Sequence, residues 1–476
     1  MANNKKSSVH PPSRKPSPKQ MDKIKSSVFT RGLSLAKMTL QAGTQLAAHN
    51  LKHHFSSPEE KNKSWMDFVK TQAGMVSAEL GELKGSLMKA GQMLSMYGEH
   101  FLPAEANALL KSLQADSPAL KWDAIEPVLR KNLPKDRFQE LEIEKEALSC
   151  ASLGQVHRAR IKATGEEIVL KIQYPNVDQA ITSDLKALRT LLGVLKLVPK
   201  DLNLDPLFRE VHEMLVQETD YELEASLTEK FASHLRGDAR YVVPRVYRAY
   251  SNKKILATSY EPCLRVDSAE VQALPQERRN QIALQFLDLF FKELFHWRTV
   301  QTDPHIGNYG LRLRSSAGGA DQLVLFDFGA TREYPKPFVD SYREMLRGAL
   351  FAEESVFRRA AQDLHLIVPS DDAELKALFE EFCFEFVEPF LPPEDPRLPP
   401  GAMDDEGRYD WKNSDLPQRL SKKIFNVLRR FSWRTPPREI LFLDRKTGGV
   451  FIFMAVMRAH LRGRECLLQY LEPPTD

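Results

Sequence analysis

The sequence predicts an α+β chain, mainly helical overall, in which a small β-rich lobe is followed by a larger helical lobe. Three observations lead there. Helical hydrophobic periods dominate from about residue 64 onward. One compact β-branched run, Glu167-Ile-Val-Leu-Lys-Ile-Gln173, interrupts them between Thr164-Gly165 and Pro175. After Pro275 the helical texture is broken only by a loop at 299–308 and an apolar strand at 322–326. With 476 residues, 42% of them hydrophobic, the chain has ample material for two or three lobes with buried cores.

Taken in order, residues 1–26 are rich in Lys, Ser and Pro (Pro11, Pro12, Pro16, Pro18) and have no apolar period. They read as a disordered basic arm, with a transit peptide as the weaker alternative. Residues 1–40 hold nine Lys/Arg against the single acid Asp22, a charge of +8. The whole chain sums to +3, so the remaining residues carry −5. That skew excludes a uniformly basic nucleic-acid binder, and the arm lacks interleaved aromatics. Val28, Phe29, Leu33, Ala36, Met38, Leu40 and Leu46 share one helical stripe. This helix either packs on the body or lies on an anionic membrane.

Two or more helices follow in 64–114, broken near 98–103, and 121–146 continues mixed and helical. Strands are expected at 151–159 and 167–173, helices at 177–196 and 206–235, and short strands at 241–250 and 254–260. The apolar run 447–457 lies between Lys446 and Arg458, is too short to span a bilayer, and reads as a buried helix. Cys150, Cys263, Cys383 and Cys466 stand far apart, which disfavours disulfides and zinc and points to a reducing, cytoplasmic setting. The expected organisation is an arm (1–26), a helical extension (27–145), a β-rich lobe (146–262) and a helical lobe (263–476).

The chemistry concentrates at Leu323-Val-Leu-Phe-Asp-Phe-Gly329, an apolar strand that ends by presenting Asp327. A carboxylate there can hold Mg²⁺ against nucleotide phosphates, but the tripeptide alone is common by chance. Upstream, Thr302-Asp-Pro-His-Ile-Gly-Asn308 sets Asp303 and Asn308 five residues apart. That is the spacing of a kinase catalytic loop, whose Asp faces the phosphoryl acceptor and whose Asn takes a second metal. On its own the loop could equally be a turn or a helix cap. Together the three oxygen donors suit Mg²⁺. Lys171, in Val169-Leu-Lys171, needs a partner if buried, because an unpaired buried ammonium is costly. Its bland alternative is an edge-strand Lys facing water. Glu218-Thr-Asp-Tyr-Glu-Leu-Glu224 offers four acids, read as one helix with Glu218, Asp220 and Glu222 one or two turns apart. Without Lys171 such a run would be a solvated face.

The ordered series Lys89-Ala-Gly-Gln92, Ser152-Leu-Gly-Gln-Val-His157, Val169-Leu-Lys171, Glu218-Thr-Asp220, Asp303 to Asn308 and Asp327-Phe-Gly329 resembles the ABC1/UbiB/ADCK atypical kinase-like family. The stretch Arg445-Lys446-Thr-Gly-Gly449 resembles the branch that contains mitochondrial COQ proteins. The resemblance runs from about residue 30 to the C-terminus. It implies a protein-kinase-like two-lobed fold whose N-terminal helical extension folds over the active site. Lys171 would contact phosphates with Glu224 as its helix partner. Lys89 and Gln92 belong to the family's KxGQ signature, and Lys89 would reach Glu218, with Asp220, and fill the space a protein substrate needs. The small-residue loop Ser149-Cys-Ala-Ser152 would bring Ala151 and Ser152 to the nucleotide, and backbone groups of Glu261 and Pro262 in the hinge would meet adenine.

ATP and Mg²⁺ are the implied cofactors. Asp303 would position an acceptor hydroxyl or water, and Asn308 and Asp327 would hold metal. The implied role lies in ubiquinone or related isoprenoid-lipid metabolism, peripheral on an inner membrane, the mitochondrial one in a eukaryote. An isoprenoid or quinone-precursor lipid, an anionic membrane and ubiquinone-biosynthesis enzymes are the implied partners; nucleic acid is not, and a homodimer is compatible with the sequence. Two rival readings stand beside this one. One is a nucleotide- or lipid-binding scaffold without turnover. The other is a small-molecule phosphotransferase, which shares the Asp…Asn spacing but has no reason to carry Lys89-Ala-Gly-Gln92.

Overall fold

A computed structural model describes residues 85–101, 104–112, 119–195, 197, 204–314, 319–420, 422–423 and 437–472, together with Thr44. The expected disordered arm, all of the basic helix but Thr44, and residues 64–84 of the extension lie outside these residues. In the described chain, α1 (Ser86–Phe101) and α2 (Ala104–Ser112) come first, then α3 (Trp122–Asn132) and α4 (Lys135–Gln139). Leu87, Ala90 and Leu94 repeat at three- and four-residue spacing along α1 and are all buried. They pack with Leu109 of α2 and with α5 (Val177–Val194) and α6 (Asp205–Glu218), so the extension is anchored to helices inserted between two strands of the first sheet.

The β-rich lobe is an antiparallel sheet of β1 (Leu141–Cys150), β2 (Gly154–Ile161), β3 (Glu167–Gln173) and β5 (Ile255–Ser259), in the order β1-β2-β3-β5. A helical reading of 121–146 fails beyond Gln139, because β1 begins at Leu141. There Leu141 and Ile143 turn inward while Glu142 and Glu144 face out, a period of two that the surrounding acids obscure. β3 is central, which corrects the edge-strand alternative for Lys171. Its Ile168, Leu170 and Ile172 are fully buried against α3, and Lys171 is on the opposite face.

The helical stretch expected over 206–235 is two helices. It breaks at Thr219-Asp220, and Asp220 caps α7 (Tyr221–His234) by accepting the N–H groups of Glu222 and Leu223, each at 3.1 Å. A second sheet runs β4 (Tyr241–Val242), β9 (Gln322–Leu325), β8 (Tyr309–Arg312), β6 (Leu264–Arg265). The loop expected at 299–308 contains the short strand β7 (Thr299–Gln301), paired antiparallel with β10 (Thr331–Glu333), and a 3₁₀ turn at Ile306–Asn308.

Short helix α8 (Ala269–Gln272) precedes α9 (Gln276–Phe291), and α10 (Lys336–Leu350), α11 (Glu354–Asp363) and α12 (Ala373–Phe386) build the helical lobe around one large core. α13 (Arg438–Val456) buries Phe442, Leu443, Val450, Phe453 and Met454, so the apolar run at 447–457 is a core helix that leaves Ile452 exposed. No helix among the described residues is long and apolar enough to cross a membrane.

Candidate active site

Two loops of the helical lobe face the sheet. β9 delivers Asp327, whose backbone is left-handed at φ +52°. Aspartate tolerates that conformation because its own carboxylate can bond locally, and here Oδ1 accepts the Gly329 N–H at 3.1 Å. Phe328 is buried with its ring 4.6 Å from that of Phe231, which pins the turn. Asp327 Oδ2 then meets Lys171 Nζ at 3.0 Å, and the same ammonium donates to Glu224 Oε1 at 2.7 Å. Burial acts to strip the Lys171 proton, but Asp327 and Glu224 outweigh it and hold the proton well above the usual lysine range. Burial lifts Glu224 to about 7 against the pull of Lys171. It acts on Asp327 in the same direction, yet the Lys171 charge and hydrogen bond leave that carboxyl below its ordinary value.

The second loop is closed by Asn308, whose Nδ2 donates to the Asp303 carbonyl at 3.0 Å. Asp303 Oδ1 accepts from Arg445 Nη2 at 2.6 Å, and its Oδ2 stands 3.8 Å from Lys89 Nζ. Lys89 makes its shorter contact, 3.0 Å, with Glu218 Oε1. Burial opposes the Lys89 charge, but Glu218 and Asp303 leave its pKa raised. Asp303 is held below the usual carboxylate range by Lys89 and Arg445 in spite of burial, whereas burial raises Glu218 against Lys89. The helix carrying Arg445 approaches this loop closely: a Cβ on Gly449 would lie 1.8 Å from Pro304 Cβ. Only glycine fits there.

The structure thus gathers Lys171, Glu224 and Asp327 into one group, and Lys89, Glu218 and Asp303 into another beside it. Asp220 does not join Lys89. Its carboxylate accepts the amides that start α7, which corrects the expectation that it completes the Lys89 contact. Gln92 lies three residues beyond Lys89 on α1, half-buried, with its carbonyl accepting from Ser95 Oγ at 3.1 Å. Ala151 and Ser152 form the turn between β1 and β2, where the Ala151 N–H donates to the Gly154 carbonyl at 2.9 Å. The Glu261 carboxylate is clamped by Ser259 Oγ (2.6 Å) and Arg312 Nη2 (2.5 Å), and the Pro262 carbonyl faces Arg312 Nε at 3.5 Å. That clamp ties the strand-to-lobe connection to β8.

Sequence reasoning missed Arg445 as a site residue. It also missed Gln217, whose Nε2 donates to the carbonyls of Gly329 and Thr331, each at 3.2 Å. A signal for Arg445 existed: two adjacent glycines inside a helix cost stability and call for a reason.

Asp327 and Asn308 fit Mg²⁺ by donor chemistry, since both offer hard oxygens and Asp327 is the most exposed carboxylate of the cluster at 37%. No group of three or more His, Cys, Asp or Glu among the described residues converges as a metal cluster. An ion here would complete its shell with phosphate and water oxygens, the usual state of Mg²⁺. Arg445 Nη1 is buried with no hydrogen-bond partner among the described residues, a donor left over for an anionic oxygen.

Comparison with known proteins agrees with this geometry. The chain is 28% identical over 399 residues to the mitochondrial atypical kinase COQ8 of Schizosaccharomyces pombe, covering 84% of this chain and 62% of that relative. It is 28% identical over 436 residues to the mitochondrial atypical kinase COQ8B of Rattus norvegicus, covering 91% and 77% respectively. The solved structure of Rv3197 from Mycobacterium tuberculosis, in complex with erythromycin, superposes with a TM-score of 0.56 at 24% identity. That match covers 88% of this chain and 99% of Rv3197 and establishes the kinase-like two-lobed fold. The model of the ABC1 atypical kinase-like domain matches residues 112–359, more than half of the chain and the stretch that holds Lys171, Glu224, Asp303 and Asp327. The chain belongs to the ABC1 atypical kinase-like family.

Proposed function

We propose that this protein binds ATP with Mg²⁺ between its lobes and acts as an atypical kinase or ATPase in ubiquinone or related isoprenoid-lipid metabolism at a membrane surface. The observation that carries the reading is Lys171, held on a central strand between Glu224 at 2.7 Å and Asp327 at 3.0 Å. A phosphate-binding lysine needs such a holder, because its charge must be both buried and aimed. Lys171 would neutralise phosphate oxygens, and Asp327 and Asn308 would hold the metal. Bound Mg²⁺ would supply further charge neutralisation on the phosphates. Asp303, kept ionised by Arg445 and Lys89, would accept a hydrogen bond from the acceptor hydroxyl or water and orient it. The acceptor oxygen would bond to the terminal phosphorus as the bond to the ADP oxygen breaks, the acceptor's proton would pass to the Asp303 carboxylate, and ADP would leave.

Lys89 reaches this space from the extension, so a small acceptor or water suits the site better than a protein substrate. The relatives named COQ8 support the link to ubiquinone metabolism, and the +8 arm supports a membrane contact. The test is Mg²⁺-ATP binding by calorimetry, with turnover, in Asp327→Asn. Loss of both supports the reading, and wild-type binding and turnover refute it. One observation favours a scaffold instead: Asp303 is already engaged by Arg445 and approached by Lys89. Purified protein that binds nucleotide but never turns it over, with or without liposomes, would select that second reading.

A further inference from the structure

Beneath both candidate loops lies a set of buried polar groups that the proposed chemistry does not use. Lys446 Nζ is 3.1 Å from Glu293 Oε2, with side chains 1% and 2% exposed. Glu293 sits in a π-helical turn, Lys292–His296, that continues α9, a rare local irregularity that is frequent at functional sites. The same Oε2 accepts the backbone N–H of Gln301 at 3.1 Å, two residues before Asp303. Gln301 Nε2 donates to the Asp327 carbonyl at 3.1 Å. The Tyr309 hydroxyl donates to Gln301 Oε1 at 3.4 Å and accepts from Lys446 Nζ at 3.4 Å, and Tyr309 directly follows Asn308. Lys446, Glu293, Gln301 and Tyr309 therefore close a ring whose members adjoin all three segments that present Asp303, Asn308 and Asp327.

A buried ion pair is seldom a net gain over apolar side chains of the same volume, so stability alone does not account for it. What the ring does hold is a residue in a disfavoured backbone conformation. Asp327 stays left-handed, and its carbonyl is fixed by Gln301 while its carboxylate accepts the Gly329 amide. A fully satisfied buried network rigidifies what it touches.

We propose that Gln301, itself held by the Glu293–Lys446 pair and Tyr309, is a positioning residue that locks the left-handed turn at Asp327 and so fixes where its carboxylate stands. The consequence for metal-bound nucleotide rests on the reading of the site given above; the backbone restraint does not. The test uses the full chain and two variants. Gln301→Leu keeps the volume and removes both side-chain bonds, and Tyr309→Phe removes only the hydroxyl. In the absence of nucleotide, amide hydrogen exchange over residues 325–331 is expected to accelerate at least tenfold in Gln301→Leu and less in Tyr309→Phe, with exchange in the β1–β3 sheet unchanged. ATP affinity measured in EDTA is expected to stay within twofold of wild type, while the gain in affinity on adding Mg²⁺ falls about tenfold.

Unchanged exchange over 325–331 in a folded variant overturns the proposal. So does a uniform rise across both lobes, which would mark a merely structural role. If Gln301→Leu does not fold, Tyr309→Phe decides by the same two measurements. A wild-type protein with no Mg²⁺-dependent nucleotide affinity would defeat the nucleotide-site reading alone, and the exchange result would still decide the restraint.

Discussion

The two adjacent glycines of α13 make opposite predictions from one substitution. A Cβ on Gly449 would fall 1.8 Å from Pro304 Cβ and 2.5 Å from its Cγ, while a Cβ on Gly448 meets nothing within 4 Å. Ordinary carbon contact begins near 3.4 Å, so Gly449→Ala requires the helix and the Asp303-Pro304 loop to separate by about 1.6 Å. The neighbour is a proline ring beside backbone, which cannot rotate away, and overpacking of this kind costs about 1–3 kcal/mol. Replacing a helical glycine by alanine returns about 1 kcal/mol at either position, so that gain cancels when the two variants are compared. Gly449→Ala should melt roughly 2–12 °C below Gly448→Ala, at about 2–4 °C per kcal/mol for a lobe of this size.

Activity should divide the same way. Arg445 lies one turn before Gly449, and a shift of that size breaks its 2.6 Å bond to Asp303. A charge-assisted bond is worth about 1.5–3 kcal/mol, so turnover should fall at least roughly tenfold in Gly449→Ala. Calorimetric melting of the two variants, with ATPase rates at fixed protein concentration, decides it. Equal stabilisation by the two alanines would refute the close approach and the account of Arg445 built on it.

Further expectations follow from the same geometry. Glu224, lifted to about 7, binds a proton in the folded state that the unfolded chain releases near 4.5. Its contribution to stability is therefore largest below pH 4.5 and falls as pH rises towards 7, by at most about 1.4 kcal/mol per unit. Glu224→Gln should lack that slope in melting curves taken between pH 5 and 7.5, and a parallel slope in variant and wild type would count against it. Asp220→Ala removes the cap of α7 and should cost about 1 kcal/mol in a denaturant titration, with nucleotide affinity reduced as Glu224 loosens. Lys89→Met leaves Glu218 buried without its ammonium and should destabilise the extension by about 3 kcal/mol or more, read as protease cleavage within α1. Anionic liposomes should stimulate ATPase activity of the full chain and do so less after deletion of residues 1–50, each arm Lys or Arg adding about 1 kcal/mol near the surface. No liposome response in the full chain would remove the membrane contact.

Much of the small lobe was legible because its strand signals are local. Glu167–Gln173 announces itself by β-branched residues between two turns, and its alternation alone puts Lys171 on the face opposite Leu170. β1 was not legible, since its three glutamates and one lysine look like the outside of a helix. The two-helix break at Asp220 was missed for a related reason: an aspartate inside an acidic run resembles one more solvated charge, although it caps a helix. The two candidate loops were readable from spacing. Arg445 was not, because its partnership with Asp303 spans 142 positions and depends on how α13 packs. Lys446 and Glu293 were hidden in the same way, as a buried pair 153 residues apart in sequence with no local signature.

The break at Asp220 also explains how two glutamates six residues apart can serve one site. On an unbroken helix Glu218 and Glu224 would stand about 120° apart, at 100° per residue, and could not both point into the same cleft. The chain solves this by ending α6 at Glu218 and restarting α7 at Tyr221. Asp220 needs no contact with Lys89 to matter, because satisfying the first amides of α7 is what reorients Glu224 towards Lys171 while Glu218 stays with Lys89. One acid thus serves the sheet and the other serves the extension. Since the charges of Asp303 and Lys89 both act on the first group's Asp327, and Asp303 lies 3.8 Å from Lys89, the two ion-pair systems share a field. Moving the Lys89 charge away should then be felt at Asp327 through electrostatics alone, without any helix having to move.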